Sequence, residues 1–186
     1  KKPKFLYVTP NYHNPAGIIY SLQRKKELLD VLSGTGIILL EDDAYSDLYF
    51  KEDEKYLTKP MKSFGVQDVD IIYTGSFSKI LGPGFRLGYM LSSKEIFEKA
   101  ETVKQSIDAC TSNFMQILAN EFVEQGKLES YLKFLRKEYF ERKKKVCMLL
   151  IVIDCVLISS MESDGKSFKE YAVFITNLSY LSLALY

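Results

Sequence analysis

Three short apolar runs in the first 80 residues each stop abruptly at a polar cluster. Residues 5–9 read FLYVT and end at Pro10. Residues 36–42 run GIILLED into Asp43-Ala44-Tyr45, and residues 68–74 run DVDIIYT into Gly75-Ser76-Phe77-Ser78-Lys79. Continuous apolar runs of this length, bounded by turn residues, are the pattern of strands buried on both faces. Between the first two, Ser21 can cap a helix carrying Leu22, Leu28, Leu29 and Leu32 on one side, and Gly34 and Gly36 can end it. Residues 86–91 form a fourth candidate strand. The pattern predicts an α/β fold: a mostly parallel sheet with flanking helices, both faces covered. Long helices follow. Ile96, Ala100, Val103 and Ile107 recur at helical spacing, then Phe114, Ile117, Leu118 and Phe122 up to Gly126, then Leu128, Leu132, Leu135 and Tyr139.

Composition narrows the function classes. The 186 residues carry a formal net charge of +1, so no global field argues for a nucleic-acid partner. Cys110, Cys147 and Cys155 lack metal or disulfide spacing and read as buried thiols in a reducing, cytoplasmic compartment. The most membrane-like run, residues 146–161, is shorter than the roughly 20 residues of a spanning helix and carries Asp154 mid-run. No membrane partner is expected. Beyond residue 150 the composition changes: arginine disappears, and Lys166 and Lys169 are the only cations. Two regions are therefore expected, 1–150 and a divergent tail, 151–186, a remnant or a frameshifted reading.

In an α/β sheet, chemistry collects where strands end and loops begin. Neighbouring strands would bring Asn14, Asp42, Tyr45 and Lys79 to one crevice. A partly desolvated lysine amine is a nucleophile toward a carbonyl. Ser76, Ser78 and Arg86 offer hydroxyls and a guanidinium fork, which suit a phosphate. Asp42 could pair with a protonated ring nitrogen, and Asn14 and Tyr45 could bind a phenolate oxygen. An aldehyde, a phosphate, a basic ring nitrogen and a phenolate together describe pyridoxal 5'-phosphate.

Three motifs in order carry a resemblance: NPAG at residues 14–17, EDDAY at 41–45 and SFSKILGPGFRLGYM at 76–90. The chain resembles the large domain of fold-type I pyridoxal-phosphate enzymes of the class I/II aminotransferase group. Within that group it is similar to the branch of 2-aminoadipate and kynurenine aminotransferases and MocR-like regulators, over residues 5–150. The resemblance implies transamination between an amino acid and a 2-oxo acid, with Lys79 as the Schiff-base lysine and proton carrier. Asp42 would hold the pyridine nitrogen's proton, Asn14 and Tyr45 the ring hydroxyl, and Ser76, Ser78 and Arg86 the phosphate. It also implies a homodimer for the full-length family.

The family's phosphate-binding helix N-terminus and ring-stacking aromatic would precede Lys1. Its carboxylate-binding arginine would lie in a small C-terminal domain, and no arginine follows Arg142. Impaired turnover by this stretch alone is the expectation. A non-catalytic cofactor-sensing domain of a MocR-type regulator and an inert remnant are the alternatives.

Plainer readings stand beside these. Asp42 or Asp43 could merely cap a turn, with the D-x-A-Y spacing favouring Asp42. His13 reads as a loop residue lining the site at most. Lys143, Lys144 and Lys145 read as a solvated helix face, and Tyr131, Tyr139 and Phe140 as core.

Overall fold

The computed structural model describes residues 2–108 and 110–164, the stretch 150–164 through its backbone. Four strands, β1 (Phe5–Val8), β2 (Ile38–Asp43), β3 (Ile71–Ser76) and β4 (Gly88–Leu91), form one sheet in the order β1-β2-β3-β4. The first three are parallel, and β4 joins β3 antiparallel. The strand ends that carry the polar clusters are therefore neighbours. Asp42 pairs with Thr74, and Asp43 with Gly75.

Helix α1 (Leu22–Leu32) makes the crossover from β1 to β2. The Ser21 hydroxyl accepts from the Arg24 N–H at 3.1 Å, which satisfies one of the helix's orphan donors. The β2–β3 crossover uses three short 3-10 turns, Ser46–Leu48, Glu52–Thr58 and Met61–Phe64. Leu29 and Leu32 of α1 pack with Val8, Leu39, Met61, Val69 and Ile71 into one core beneath the sheet. Each such side chain, fully buried, contributes about 1.5–3 kcal/mol of transfer free energy.

The other face differs from expectation. Phe5 and Tyr7 of β1 are 59% and 57% exposed. An apolar run does not by itself distinguish burial on one face from burial on two. Strand β2 shows the alternation: Leu39, Glu41 and Asp43 are buried, and Asp42 between them is half-buried. Glu41 has no exposed surface and accepts from the Met61 and Lys62 N–H groups at 2.8 and 3.1 Å. Those bonds fasten the third 3-10 turn to the sheet.

Helices α2 (Lys94–Ile107), α3 (Asn113–Glu124) and α4 (Lys127–Asp164) follow. The backbone of α4 continues through the composition change at residue 150. Arg136 docks α4 against the segment after β2. Its guanidinium donates to the Asp47 carbonyl at 3.1 Å, pairs with Glu129 at 2.9 Å and lies 4.2 Å from the Tyr49 ring centroid. Tyr131 packs edge-on against Phe122, and Phe140 lies tilted against Phe50. Lys143, Lys144 and Lys145 are exposed, as a solvated face requires, and Lys143 also lies 4.9 Å over the Phe50 ring. Cys110 and Cys147 are exposed, against the expected burial: one sits in the α2–α3 connection and the other late in α4. Among the described residues no helix is long and apolar enough to cross a membrane. The part of the divergent tail from residue 165 to 186 lies outside the described residues.

Candidate active site

The β1–α1 loop begins at the end of β1 and is held from below. Asn11, 1% exposed, donates to the Thr58 carbonyl at 3.1 Å and accepts from the Lys25 ammonium at 2.8 Å. Lys25 also donates to the Leu57 and Lys59 carbonyls at 2.7 and 2.9 Å. Tyr12 then takes a left-handed conformation, φ 53°, which turns the chain toward His13 and Asn14. The Ala16 N–H approaches His13 Nδ1 at 3.4 Å, so His13 takes part in its own loop.

Asn14 reaches the second cluster. Its amide lies 3.4 Å from the Tyr45 hydroxyl, a long hydrogen bond. The Lys79 ammonium sits 5.6 Å from the Tyr45 ring centroid, within cation–π range. Asn14, Tyr45 and Lys79 thus come from three successive strand ends and meet around one ring.

Period-two alternation sends the two adjacent aspartates of β2 to opposite faces. Asp42, on the more open face, accepts from the Tyr7 hydroxyl at 2.6 Å. That bond pushes the Tyr7 phenol up to about 12, with burial and the carboxylate's charge adding to it. Asp43, on the core face, accepts from the Tyr73 hydroxyl at 2.9 Å, while its Oδ1 is buried without a partner. Burial holds the Asp43 carboxyl above the ordinary carboxylate range. Burial does the same to Glu41, and lowers Lys25 to about 8.

The lysine loop leaves β3 at Ser76. The Ser78 N–H donates to the Ser76 hydroxyl at 3.1 Å. The Phe77 N–H donates to the Leu87 carbonyl at 3.0 Å, which brings Arg86 and its neighbours back beside the serines. Arg86 follows a 3-10 turn, Pro83–Phe85, and is left-handed itself, φ 49° and ψ 39°. A cavity of about 300 Å³ opens near Leu87, Lys104, Asp108 and Gln116, and none of the seven candidate residues lines it.

The structure brings together Asn14, Tyr45 and Lys79 by contact, and sets Asp42 one strand from Thr74 and three residues from Tyr45. Ser76, Ser78 and Arg86 lie on the two sides of the turn that closes the lysine loop. Sequence reasoning missed Tyr7, Asn11, Lys25 and Tyr73. Tyr7 sits two residues before the Thr9-Pro10 strand end, and its place on the open face was the signal. Lys25 looked like any helix lysine.

The family model for aminotransferase class I and II matches residues 1–162. The aromatic-amino-acid aminotransferase 1 of Thermococcus litoralis is 36% identical over 143 residues, 77% of this chain and 33% of that protein. The HTH-type transcriptional regulator YisV of Bacillus subtilis is 34% identical over 140 residues, 75% of this chain and 28% of that protein. Among solved structures, the kynurenine aminotransferase of Pyrococcus horikoshii, in complex with PMP, superposes with a TM-score of 0.74 at 38% identity. That match covers 81% of this chain and 36% of the other. The alpha-aminoadipate aminotransferase of Thermus thermophilus, complexed with N-(5'-phosphopyridoxyl)-L-leucine, gives 0.70 at 32% identity, covering 81% and 38%. The chain belongs to the class I and II aminotransferase family. It spans about a third of the length of the curated relatives it matches.

Proposed function

We propose that residues 1–150 are the part of an aminotransferase large domain that holds pyridoxal 5'-phosphate, with Lys79 as the covalent anchor and the remaining residues, 151–186, as a divergent tail. The observation that carries this reading is the convergence of Asn14, Tyr45 and Lys79 around one ring, at the ends of parallel strands. The donor set suits the group. A phenolate oxygen needs neutral donors, which Asn14 and Tyr45 provide. A phosphate needs hydroxyls and a planar cation, which Ser76, Ser78 and Arg86 provide. A protonated ring nitrogen needs a carboxylate, and Asp42 is the half-buried one of the adjacent pair.

When bound, the cofactor supplies an electron-withdrawing ring that stabilises negative charge at a substrate Cα. Asp42 keeps the nitrogen's positive charge in place. Lys79 would anchor the cofactor through its aldehyde carbon, and its amine, when free, would serve as the general base and acid for the substrate Cα proton. The substrates are an amino acid and a 2-oxo acid, and the working unit is a cytoplasmic homodimer. A second reading, a cofactor-sensing domain without turnover, is favoured by the similarity to an HTH-type regulator.

The test of the site is chemical. The chain is mixed with pyridoxal phosphate, reduced with borohydride, digested and mapped. Label concentrated on the peptide holding Lys79 supports the reading, and label spread evenly over surface lysines overturns it. Lys79-dependent transamination of an amino acid by the loaded chain would favour the enzyme over the sensor.

A further inference from the structure

Tyr7 lies on β1, outside every motif that marks the site, yet its hydroxyl touches the carboxylate that the proposed function depends on. Tyr7 pairs in register with Leu40, so Asp42 is its diagonal neighbour on the same face of the sheet. The hydroxyl donates to Asp42 Oδ2 at 2.6 Å, the distance of a charge-assisted bond from an oxygen donor to a carboxylate. We propose that Tyr7 is a positioning residue for Asp42: its hydroxyl fixes one carboxylate oxygen so that the other is presented to the protonated ring nitrogen of the cofactor. The inference rests on the cofactor reading above.

A carboxylate on a strand can turn about its last side-chain bond, a broad, soft torsion. One hydrogen bond to Oδ2 removes that freedom before the cofactor arrives, which is preorganisation. The donor's chemistry also fits the task. A lysine or arginine at this place would neutralise Asp42 and weaken its hold on the nitrogen's proton. A phenol donates without adding charge, and one that ionises near 12 remains a donor at every physiological pH. Tyr7 is 57% exposed, so packing alone does not account for a tyrosine here. Phenylalanine would cover the same surface and leave Oδ2 unheld.

The test has two arms on the 186-residue chain. Without cofactor, tyrosine labelled with carbon-13 at Cζ is titrated by NMR, with the Tyr7 signal assigned by its loss in Tyr7→Phe. Wild-type Tyr7 is expected to stay protonated to pH 11, whereas in Asp42→Asn it ionises near the ordinary value of about 10. Equal midpoints would overturn the inference. In the second arm, cofactor labelled with nitrogen-15 in the ring is loaded onto wild type and Tyr7→Phe. The ring-nitrogen shift reads its proton directly, a signature that a merely structural role would not move. Tyr7→Phe is expected to lower the nitrogen's protonation midpoint by about one unit and to weaken cofactor binding about tenfold, because a carboxylate no longer preorganised must be ordered on binding. Circular dichroism confirms that each variant folds. Wild type that loads, with Tyr7→Phe identical to it, defeats the inference alone. Wild type that never takes up cofactor defeats the functional reading, and the inference with it.

Discussion

The Lys25 ammonium, wholly buried, donates to Asn11 Oδ1 at 2.8 Å and so supports from beneath the loop that presents Asn14 to Tyr45. Lys25 is a helix residue, Asn11 a loop residue, and the bond ties α1 to the strand end. With the Leu57 and Lys59 carbonyls it gives the ammonium three acceptors, one for each N–H.

Replacing this lysine should therefore cost stability, and in a pH-dependent way. Lys25→Met leaves three acceptors without their donor, at about 1–3 kcal/mol for each that stays buried. Burial lowers the folded-state ammonium to about 8, below its value of 10.5 in the open chain. Between those values the unfolded chain binds more protons than the folded one, so wild-type stability should rise from pH 8 to pH 10. Thermal melting across that range checks both points. The slope should be present in wild type and absent in Lys25→Met.

The two adjacent aspartates should give different phenotypes. Asp43→Ala removes the acceptor of the buried Tyr73 hydroxyl and should destabilise the chain by about 1–3 kcal/mol. Asp42→Asn keeps the shape of a half-buried side chain but turns the charged acceptor of the Tyr7 hydroxyl into a neutral one, so it should cost about 1 kcal/mol or less, while weakening cofactor binding. Denaturant titration and cofactor absorbance, run on both variants, would show the opposite pattern if the roles were reversed.

Gly75 has a packing reason to be glycine. A Cβ there would come within 2.7 Å of Tyr89 Cε1 and closer still to the ring's Cζ and hydroxyl. Tyr89 is 44% exposed and can swing outward, but it would leave its packing against Tyr73 and Phe77. Gly75→Ala should cost about 1–3 kcal/mol, as overpacking does. Near-ultraviolet circular dichroism should lose tyrosine signal in step with the fall in melting temperature.

The strands and α1 were legible because burial leaves a plain trace: apolar runs, a serine cap and glycine stops. Each predicted strand overlaps an observed one, and Ser21 caps α1 as its position implied. The β2–β3 crossover was not legible. Its third short turn is held by Glu41, a charged residue whose burial no pattern announces. The proximity of Asn14, Tyr45 and Lys79 was legible because their motifs fall at the ends of neighbouring strands. The contacts of Tyr7 and Lys25 were not, since they depend on what lies across the sheet or under a loop. Residue spacing along one segment carries no information about such pairs. The exposed cysteines were misread for a related reason: cysteine's average burial says nothing about a particular connection or helix face.

Arg86 offers the sharpest separation of stability from binding. It holds φ 49° and ψ 39°, a left-handed conformation. For a residue with a Cβ this costs about 1–2 kcal/mol. Strain of this kind persists where the surroundings impose it, often at a ligand site. Arg86→Gly removes the strain, and glycine's larger entropy loss on folding returns about 0.5–1 kcal/mol of that gain. The chain without cofactor should therefore become more stable by about 0.5–1 kcal/mol. The guanidinium is lost in the same change. A hydrogen bond to a charged partner contributes about 1.5–3 kcal/mol, so cofactor affinity should fall by one to two decades. Arg86→Lys keeps the strain and a point charge but loses the planar fork, so it should weaken binding without the gain in stability. Melting temperatures and cofactor titrations on the three chains distinguish these outcomes. An Arg86→Gly chain that binds cofactor as tightly as wild type would remove Arg86 from the phosphate site. One that melts lower would mean that the side chain's own contacts outweigh the backbone strain.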